Sequence, residues 1–228
     1  MDSPPVHSPG VGWLRLTGGR LRALFFEKLF GITAGMALFF AAYFWLLNHA
    51  SHDVTTVPLI FIDRLIGFEP WAVVLYVSLW PYVSLAPALL TSQRELISYG
   101  WASAAMSLIG FGTFILWPTA VPSVDFQLSL HSSLSILKTV DASGNAFPSL
   151  HVAFAVFTAA WLSSILREMG AGPALRAINW LWCLGIVYST LAIRQHVALD
   201  AISGILLGGA VAAVHLRIIR PGSLRRLP

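Results

Sequence analysis

Residues 189–200 read STLAIRQHVALD, and this stretch places a histidine and an aspartate at the start of an apolar segment long enough to cross a bilayer. His196 and Asp200 are four residues apart, so on a helix they share one face and lie within reach of a hydrogen bond between imidazole and carboxylate. An ionisable group at membrane depth costs about 3 kcal/mol or more. The pattern therefore predicts a functional site in which Asp200 is the partner of His196.

The composition is typical of an integral membrane protein. Of the 228 residues, 57% are hydrophobic and 11% are charged, whereas charged residues make up about a quarter of a soluble domain. A helical crossing needs roughly 20 apolar residues. Six stretches meet or approach that length, and we predict an all-α, polytopic membrane helix bundle with six transmembrane helices. The six stretches are Leu29–Leu47, Trp71–Leu90, Leu96–Trp117, Phe147–Leu166, Ala177–Ile193 and Val197–Leu216.

The predicted bundle forms one membrane catalytic domain over residues 21–220. Residues 1–20 are rich in proline and glycine with little periodicity, which predicts a flexible cytoplasmic tail. Residues 221–228 form a short basic tail, also predicted to be cytoplasmic.

The basic residues indicate the orientation of the bundle. The net charge is +4, but the basic residues do not form a stripe with interleaved aromatics, so no nucleic-acid partner is expected. The positive-inside rule places most basic residues on the cytoplasmic side. Of the fourteen, three lie in the odd-numbered loops and eleven in the tails and even-numbered loops, so both termini are predicted to be cytoplasmic. The eleven are Arg15, Arg20, Arg22, Lys28, Arg94, Arg167, Arg176, Arg217, Arg220, Arg225 and Arg226.

A second histidine is predicted at the same membrane face. The loop between Pro118 and Pro148 has 31 residues and leads into the sequence FPSLH, which ends at His151. Proline and serine are typical of a helix start, so His151 lies in the first turn of the predicted fourth helix. By parity of the six helices, this turn and the one before His196 open on the extracytoplasmic side.

Two imidazoles and a carboxylate are the parts of a covalent transfer reaction. A neutral His196 would be the nucleophile towards phosphorus, and Asp200 would hold its other N–H. His151 would protonate the leaving oxygen. The N–H groups near Ser149, at the start of the helix, would meet the phosphate charge.

Two cations are candidates for binding the same phosphate. Arg194, two residues before His196, is the nearer one, and Lys138 in the long loop is the weaker candidate.

These residues resemble a known family. Phe147-Pro148-Ser149-Leu150-His151, followed by His196 and Asp200, resembles the type-2 phosphatidic acid phosphatase superfamily. The preceding residues Asp141 and Asn145, and Arg194-Gln195 before His196, are most similar to its inositolphosphotransferase branch, which is related to inositol phosphorylceramide and sphingomyelin synthases.

The resemblance implies an all-helical membrane enzyme of lipid metabolism. It implies that His196 becomes a phosphohistidine, that Asp200 supports it and that His151 is the acid. It further implies a lipid phosphoester as substrate, with an alcohol or lipid as acceptor in a transfer, and adds Asp141 and Asn145 to the candidate substrate-binding residues.

The sequence departs from the superfamily pattern in its cations. The first motif, a lysine followed seven residues later by Arg-Pro, is missing, because Trp117-Pro118 has the proline without the arginine. The serine-arginine pair that opens the last motif is Ser189-Thr190 here. Fewer cations suit a phosphodiester, with one negative charge, better than a phosphomonoester dianion. This favours transfer of a phospholipid headgroup, with a lipid phosphate phosphatase as the alternative.

Two other classes of protein use the same residue types. Histidine and aspartate also bind metals, but no third ligand follows at ligand spacing, and phosphohistidine chemistry needs neither a metal nor another cofactor. A transporter or membrane scaffold could use the same pair as a proton relay. Transporters often contain two related halves, and none is evident in this sequence.

Overall fold

The computed structural model describes residues 12–49, 53–122 and 145–220. These residues form an all-α bundle with a small two-stranded sheet. The helices are α1 (Gly12–Arg22), α2 (Phe25–Asn48), α3 (Phe61–Leu65), α4 (Val73–Val77), α5 (Leu79–Ala88), α6 (Gln93–Leu116), α7 (Leu150–Glu168), α8 (Pro173–Ala192) and α9 (Ala198–Ile219), and a 3-10 turn, Pro70–Ala72, precedes α4. The strands β1 (Thr55–Thr56) and β2 (Thr119–Ala120) pair in parallel.

Five helical segments in the described part of the chain are long and apolar enough to cross a membrane. They are Phe25–Asn48, Pro70–Ala88, Gln93–Leu116, Leu150–Glu168 and Ala198–Ile219. The predicted fifth crossing, Ala177–Ile193, lies in α8, which has 20 residues but is not one of the five. Arg176 and Asn179 make the first half of α8 less apolar. The all-α bundle is therefore observed, its long apolar helices are typical of an integral membrane protein, and the count of six crossings stays a prediction.

Helix α7 is the centre of the bundle. Phe157 and Trp161 on this helix are fully buried, and α9, α8 and α5 pack around it. The outer helices instead expose large apolar side chains; Leu38 on α2 and Leu116 on α6 are 73% and 82% exposed. Exposed patches of this kind match a hydrocarbon solvent better than water.

Two glycines allow α9 to approach α7 closely. A Cβ atom at Gly204 would lie 2.9 Å from Val152 Cβ and 3.2 Å from Ala153 N, and one at Gly208 would lie 2.9 Å from the carbonyl carbon of Ala153. The pattern of small residues four apart is typical of close helix contacts in membranes. Since part of what the added atoms would meet is backbone, the contact cannot relax by moving a side chain.

We expect Gly204→Ala to destabilise the bundle by about 1–3 kcal/mol, because overpacking a close contact forces the two backbones apart. Gly209→Ala is the matched control, since a Cβ there would meet nothing within 4 Å. Thermal unfolding in detergent should show a lower midpoint for Gly204→Ala alone. Equal midpoints for the two variants would contradict the close contact.

The second crossing is interrupted, as its prolines predict. Helix α4 ends at Val77 and α5 begins at Leu79. Pro81 has no N–H to donate to the carbonyl of Val77, so the regular helix breaks one turn before it. The break lies next to Tyr76, which contacts the predicted site.

A small cap covers the end of the bundle that carries the predicted site. Thr119 of β2 pairs with Thr55 of β1 and forms a bridge with Asn145. Its hydroxyl accepts a hydrogen bond from the Phe147 N–H at 2.8 Å, and its carbonyl accepts one from the Ala146 N–H at 3.0 Å. The cap therefore fixes the segment that leads into His151.

The predicted flexible tail needs a correction over residues 12–20, because Gly12–Arg22 form helix α1, while residues 1–11 lie outside the described residues. Arg20 donates to the Glu168 carboxylate at 2.6 Å and to the Leu89 carbonyl at 3.3 Å. Arg220 binds the other oxygen of Glu168 at 2.7 Å. These tertiary contacts hold the helix despite Gly18 and Gly19, and local composition does not reveal them.

Candidate active site

The turn between α8 and α9 presents His196. The N–H groups of Gln195 and His196 both donate to the Thr190 carbonyl at 3.0 Å, which folds the chain back after the end of α8. Arg194 in this turn has a positive φ of 61°, which few non-glycine residues adopt. Helix α9 then begins at Ala198, so His196 lies just before the helix and Asp200 in its first turn.

His196 and Asp200 form the predicted pair. His196 Nδ1 lies 3.5 Å from Asp200 Oδ2, and the Asp200 side chain is completely buried while that of His196 is 11% exposed. Asp200 Oδ2 also accepts a hydrogen bond from the Val197 N–H at 3.1 Å. A carboxylate held in this way favours a proton on Nδ1, which leaves the lone pair of Nε2 for chemistry.

His151 lies in the first turn of α7, as predicted, and is 7% exposed. Its ring stacks on Tyr76 with 4.0 Å between ring centroids, and Trp80 packs against it edge-on at 5.9 Å. These two aromatic rings come from the interrupted second crossing and fix the plane of the imidazole.

The two histidines share one site. The Ser149 N–H donates to the Asp200 carbonyl at 3.1 Å, so the start of α7 is bonded directly to the start of α9. His151 and His196 both line a single cavity of about 480 Å³, which is within the range of small-molecule sites. The structure therefore brings the three residues together, and their catalytic roles stay a prediction.

Eight buried side-chain polar atoms in the described part of the chain have no hydrogen-bond partner, and three of them lie together at this site. The three are His151 Nε2, His196 Nδ1 and Asp200 Oδ1. Buried polar atoms are nearly always paired, so a cluster of exceptions indicates a ligand, a water or a catalytic role. Each of the three belongs to a residue that the sequence pattern predicts to be catalytic.

The predicted substrate-binding residues have different surroundings. Asn145 lines the cavity and donates from Nδ2 to the Tyr43 hydroxyl. Ser149 is buried, and its hydroxyl accepts a hydrogen bond from the Val152 N–H at 3.2 Å, which makes it the N-cap of α7. Lys138 and Asp141 lie outside the described residues.

Arg194 is not among the residues that line the cavity. Its guanidinium donates to the carbonyls of Asp63 and Ile66 at 3.0 and 2.8 Å. Arg194 therefore binds the segment between the first and second crossings, outside the cavity that His151 and His196 line.

Asp63 is a site residue that the sequence pattern does not predict. It is 3% exposed, and Oδ1 accepts a hydrogen bond from the Ala198 N–H, the first of α9, at 2.7 Å. Oδ2 accepts one from the Ile60 N–H at 2.8 Å. In the sequence Asp63 stands in a polar loop with Asp53 and Glu69, and no local signal distinguishes it from them. Tyr76 was missed for the same reason, since aromatic residues are common throughout the crossings.

We expect Asp63→Ala to lower the stability of the protein by loosening the start of α9. The substitution leaves the buried Ala198 N–H and the partly buried Ile60 N–H without an acceptor. Loss of the acceptor of a buried donor costs about 1–3 kcal/mol. The unfolding midpoint should fall, and Asp53→Ala, at an exposed position in the same segment, should leave it unchanged. If Asp63→Ala unfolds at the midpoint of the parent protein, the carboxylate does not anchor α9.

The described part of the chain holds no cluster of metal ligands. Within residues 12–49, 53–122 and 145–220, no three histidine, cysteine, aspartate or glutamate side chains lie close enough together to hold a metal ion.

Comparison with known proteins supports one family. Neither the curated proteins nor the solved structures contain a significant match to this chain. The family model of the PAP2 superfamily matches residues 114–222, a range that contains His151, His196 and Asp200, and this match supports placing the chain in that superfamily.

Proposed function

We propose that the protein is a membrane enzyme that transfers a phosphoryl or phospho-headgroup from a lipid phosphoester through a phosphohistidine. The superfamily match supports lipid phosphatase or phosphotransferase chemistry. The observation that carries the proposal is the group of unpaired buried atoms on His151, His196 and Asp200 beside one cavity. A reacting phosphate ester would supply a partner for His151 Nε2, and a shortened contact with the Asp200 carboxylate would supply one for His196 Nδ1.

In the first step His196 Nε2 attacks phosphorus, a nitrogen–phosphorus bond forms, and the bond from phosphorus to the leaving alcohol oxygen breaks. His151, in its protonated form, gives its proton to that oxygen. Asp200 stabilises the imidazolium that forms on His196, in the role of the aspartate in a hydrolase triad. The 3.5 Å separation is long for a hydrogen bond, and catalytic contacts commonly shorten when substrate binds.

The second step reverses these roles. His151 takes the proton from an incoming alcohol or water, whose oxygen attacks phosphorus. The nitrogen–phosphorus bond breaks and its electron pair returns to His196. Water as acceptor makes the enzyme a phosphatase, and an alcohol makes it a transferase.

The start of α7 is the better place for the phosphate charge. Two carboxylates, Asp63 and Asp200, already accept from the first N–H groups around α9, and they would repel an anion. The start of α7 is capped by the neutral hydroxyl of Ser149, and a helix N-terminus favours an anion. Asn145 is proposed to contact the phosphate from the cavity wall, and Lys138 and Asp141 from the adjoining segment. Arg194 is proposed to add positive potential from behind His196.

Within this class we favour transfer of a phospholipid headgroup, as in the inositolphosphotransferase branch. Ser189-Thr190 and Trp117-Pro118 stand where the superfamily pattern has arginines. A monoester dianion would lack the extra cations, whereas a diester with one charge needs fewer.

We further propose that both termini are cytoplasmic and that the site opens at the extracytoplasmic face. The distribution of basic residues supports this orientation. The substrate would then come from the outer leaflet.

Purified protein supplied with a labelled phospholipid and an alcohol acceptor tests the proposal. Transfer of the phospho-headgroup to the alcohol is the expected result. Release of inorganic phosphate from a lipid phosphate, without transfer, would favour the phosphatase. Absence of turnover with any such lipid would contradict both and favour a transporter or scaffold.

A further inference from the structure

The cavity that His151 and His196 line extends far beyond these two residues. Helices α2, α5 and α6 form its walls, and the same continuous space is lined by Tyr43 near His196 and by Glu27 near the opposite end of α2. On α6 the lining extends from Phe114 to Gln93. The space is therefore a groove along the bundle, and the two histidines occupy one end of it.

The groove is longer than one leaflet of a membrane. From Tyr43 to Glu27 the lining follows α2 for about 24 Å at 1.5 Å per residue. Half of the hydrocarbon core of a bilayer is about 15 Å. A ligand that filled the groove from the histidine end would extend beyond the bilayer midplane.

The chemistry of the walls changes along the groove. Near the histidines the lining includes polar groups on Tyr43 and Asn145. Beyond them the wall is mostly apolar, with Phe40, Val83 and Leu96, and the groove ends at the polar side chains of Glu27 and Gln93. Gly35 and Gly100 also line it, and a Cβ at either would meet nothing within 4 Å. A long apolar passage with a polar, histidine-bearing end matches a molecule with a phosphate head and an extended hydrocarbon chain.

We propose that this groove receives a hydrocarbon chain of the lipid phosphoester and that it selects for chains longer than one leaflet. The inference rests on the proposed function, because the phosphate at His151 and His196 fixes where the chain begins. Measured from that end, Gly35 lies about 12 Å along α2 from Tyr43, and Gly100 lies about 21 Å along α6 from Phe114. The two glycines therefore mark two depths in the same passage.

Leucine at each glycine tests the depth dependence. The substrates are phosphoesters that share one headgroup and differ in the length of a straight hydrocarbon chain. The chains range from shorter than half of the ~30 Å hydrocarbon core of a bilayer to nearly its full width. The parent should prefer the long chains by at least tenfold in kcat/KM. Gly35→Leu should lower kcat/KM for all but the short chains. Gly100→Leu should lower kcat/KM only for the longest chains. Ala34→Leu and Gly112→Leu are the matched controls on the same two helices, because neither position lines the groove.

A binding measurement separates this inference from the proposed function. Phosphodiesters with one long alkyl chain carry a photoreactive diazirine either near the phosphate or at the chain end, and the labelled residues are identified by mass spectrometry. We expect the first probe to label residues near Tyr43 and the second to label residues near Glu27 and Gln93, whether or not the protein turns the lipid over.

The outcomes are distinct. Turnover with the same chain-length profile in parent and leucine variants would overturn the groove while leaving the proposed function intact. Depth-dependent labelling without turnover of any lipid would support the groove and contradict the proposed chemistry. Labelling by both probes only on the outward faces of α2 would show ordinary bilayer lipid and overturn the inference.

Discussion

Replacing His196 with alanine is expected to lower kcat by about 10⁴-fold or more, because removal of a nucleophile that forms a covalent intermediate leaves only binding and electrostatic effects. The substitution should lower kcat and leave the folded structure unchanged. In the described part of the chain, His196 Nδ1 lies 3.5 Å from Asp200 Oδ2 and has no hydrogen-bond partner, so the fold does not depend on a hydrogen bond from this atom. Turnover of the labelled lipid, with the elution profile and unfolding midpoint of the same preparation, measures both.

The matched control is His49→Ala. His49 is exposed at the end of α2, where its ring bonds to the Trp45 carbonyl, and its loss should leave turnover near the parent value. If His196→Ala also turns over lipid at a rate comparable to the parent, His196 is not the nucleophile.

Asp200→Asn is the prediction with the second largest effect. The amide keeps the shape of the carboxylate, and its oxygen can still accept the Val197 N–H, so the protein should fold. A neutral amide carries no formal charge and cannot stabilise the imidazolium that forms on His196 during the attack on phosphorus. In a comparable triad this change lowers kcat by about 10⁴, and we expect a loss of similar size.

The control for Asp200→Asn is Asp53→Asn at an exposed position. Single-turnover kinetics should place the loss in formation of the covalent intermediate, with little change in lipid binding. A rate within tenfold of the parent would show that the charge of Asp200 is not used.

Much of the fold follows from local sequence. Long apolar runs predict helices, and their bounds agree with the structure to within a few residues for α2, α6, α7 and α9. The break at Ser78 follows from Pro81, whose missing N–H is a local property. Helix α1 could not be predicted in this way, because it is held by Arg20 on Glu168, a residue 148 positions later. Only the folded bundle brings them together.

The site divides in the same manner. His196 and Asp200 are four residues apart, and helical periodicity predicts that they are neighbours. They are neighbours in the structure, although His196 lies in the turn before α9 and only Asp200 lies on the helix. His151 could be placed beside them only by counting the crossings, which puts the starts of both helices on the same side of the membrane. In the structure, the hydrogen bond from the Ser149 N–H to the Asp200 carbonyl joins these two helix starts. The role of Asp63 could not be predicted from the sequence. One of its carboxylate oxygens accepts a hydrogen bond from the Ala198 N–H, 135 residues away, and the other accepts one from the Ile60 N–H, three residues away. Nothing in the local sequence indicates the first of these.

The superfamily match covers the histidine end of the groove, and most of the groove is lined by residues that precede the match. The match covers residues 114–222 and contains both histidines. Helices α2 and α5, and all of α6 before Phe114, lie before that range. We therefore expect the matched half to carry out the reaction and the half before it to form most of the surface that receives the lipid chain.

The most direct test of the central claim is identification of the covalent intermediate. The protein is mixed with a phosphorus-labelled lipid, quenched without acid to preserve a phosphoramidate, digested, and analysed by mass spectrometry. We predict one labelled peptide with the phosphoryl or phospho-headgroup on His196, and none in His196→Ala. Label on His151 or on another residue, or sustained turnover without a covalent species, would contradict the mechanism.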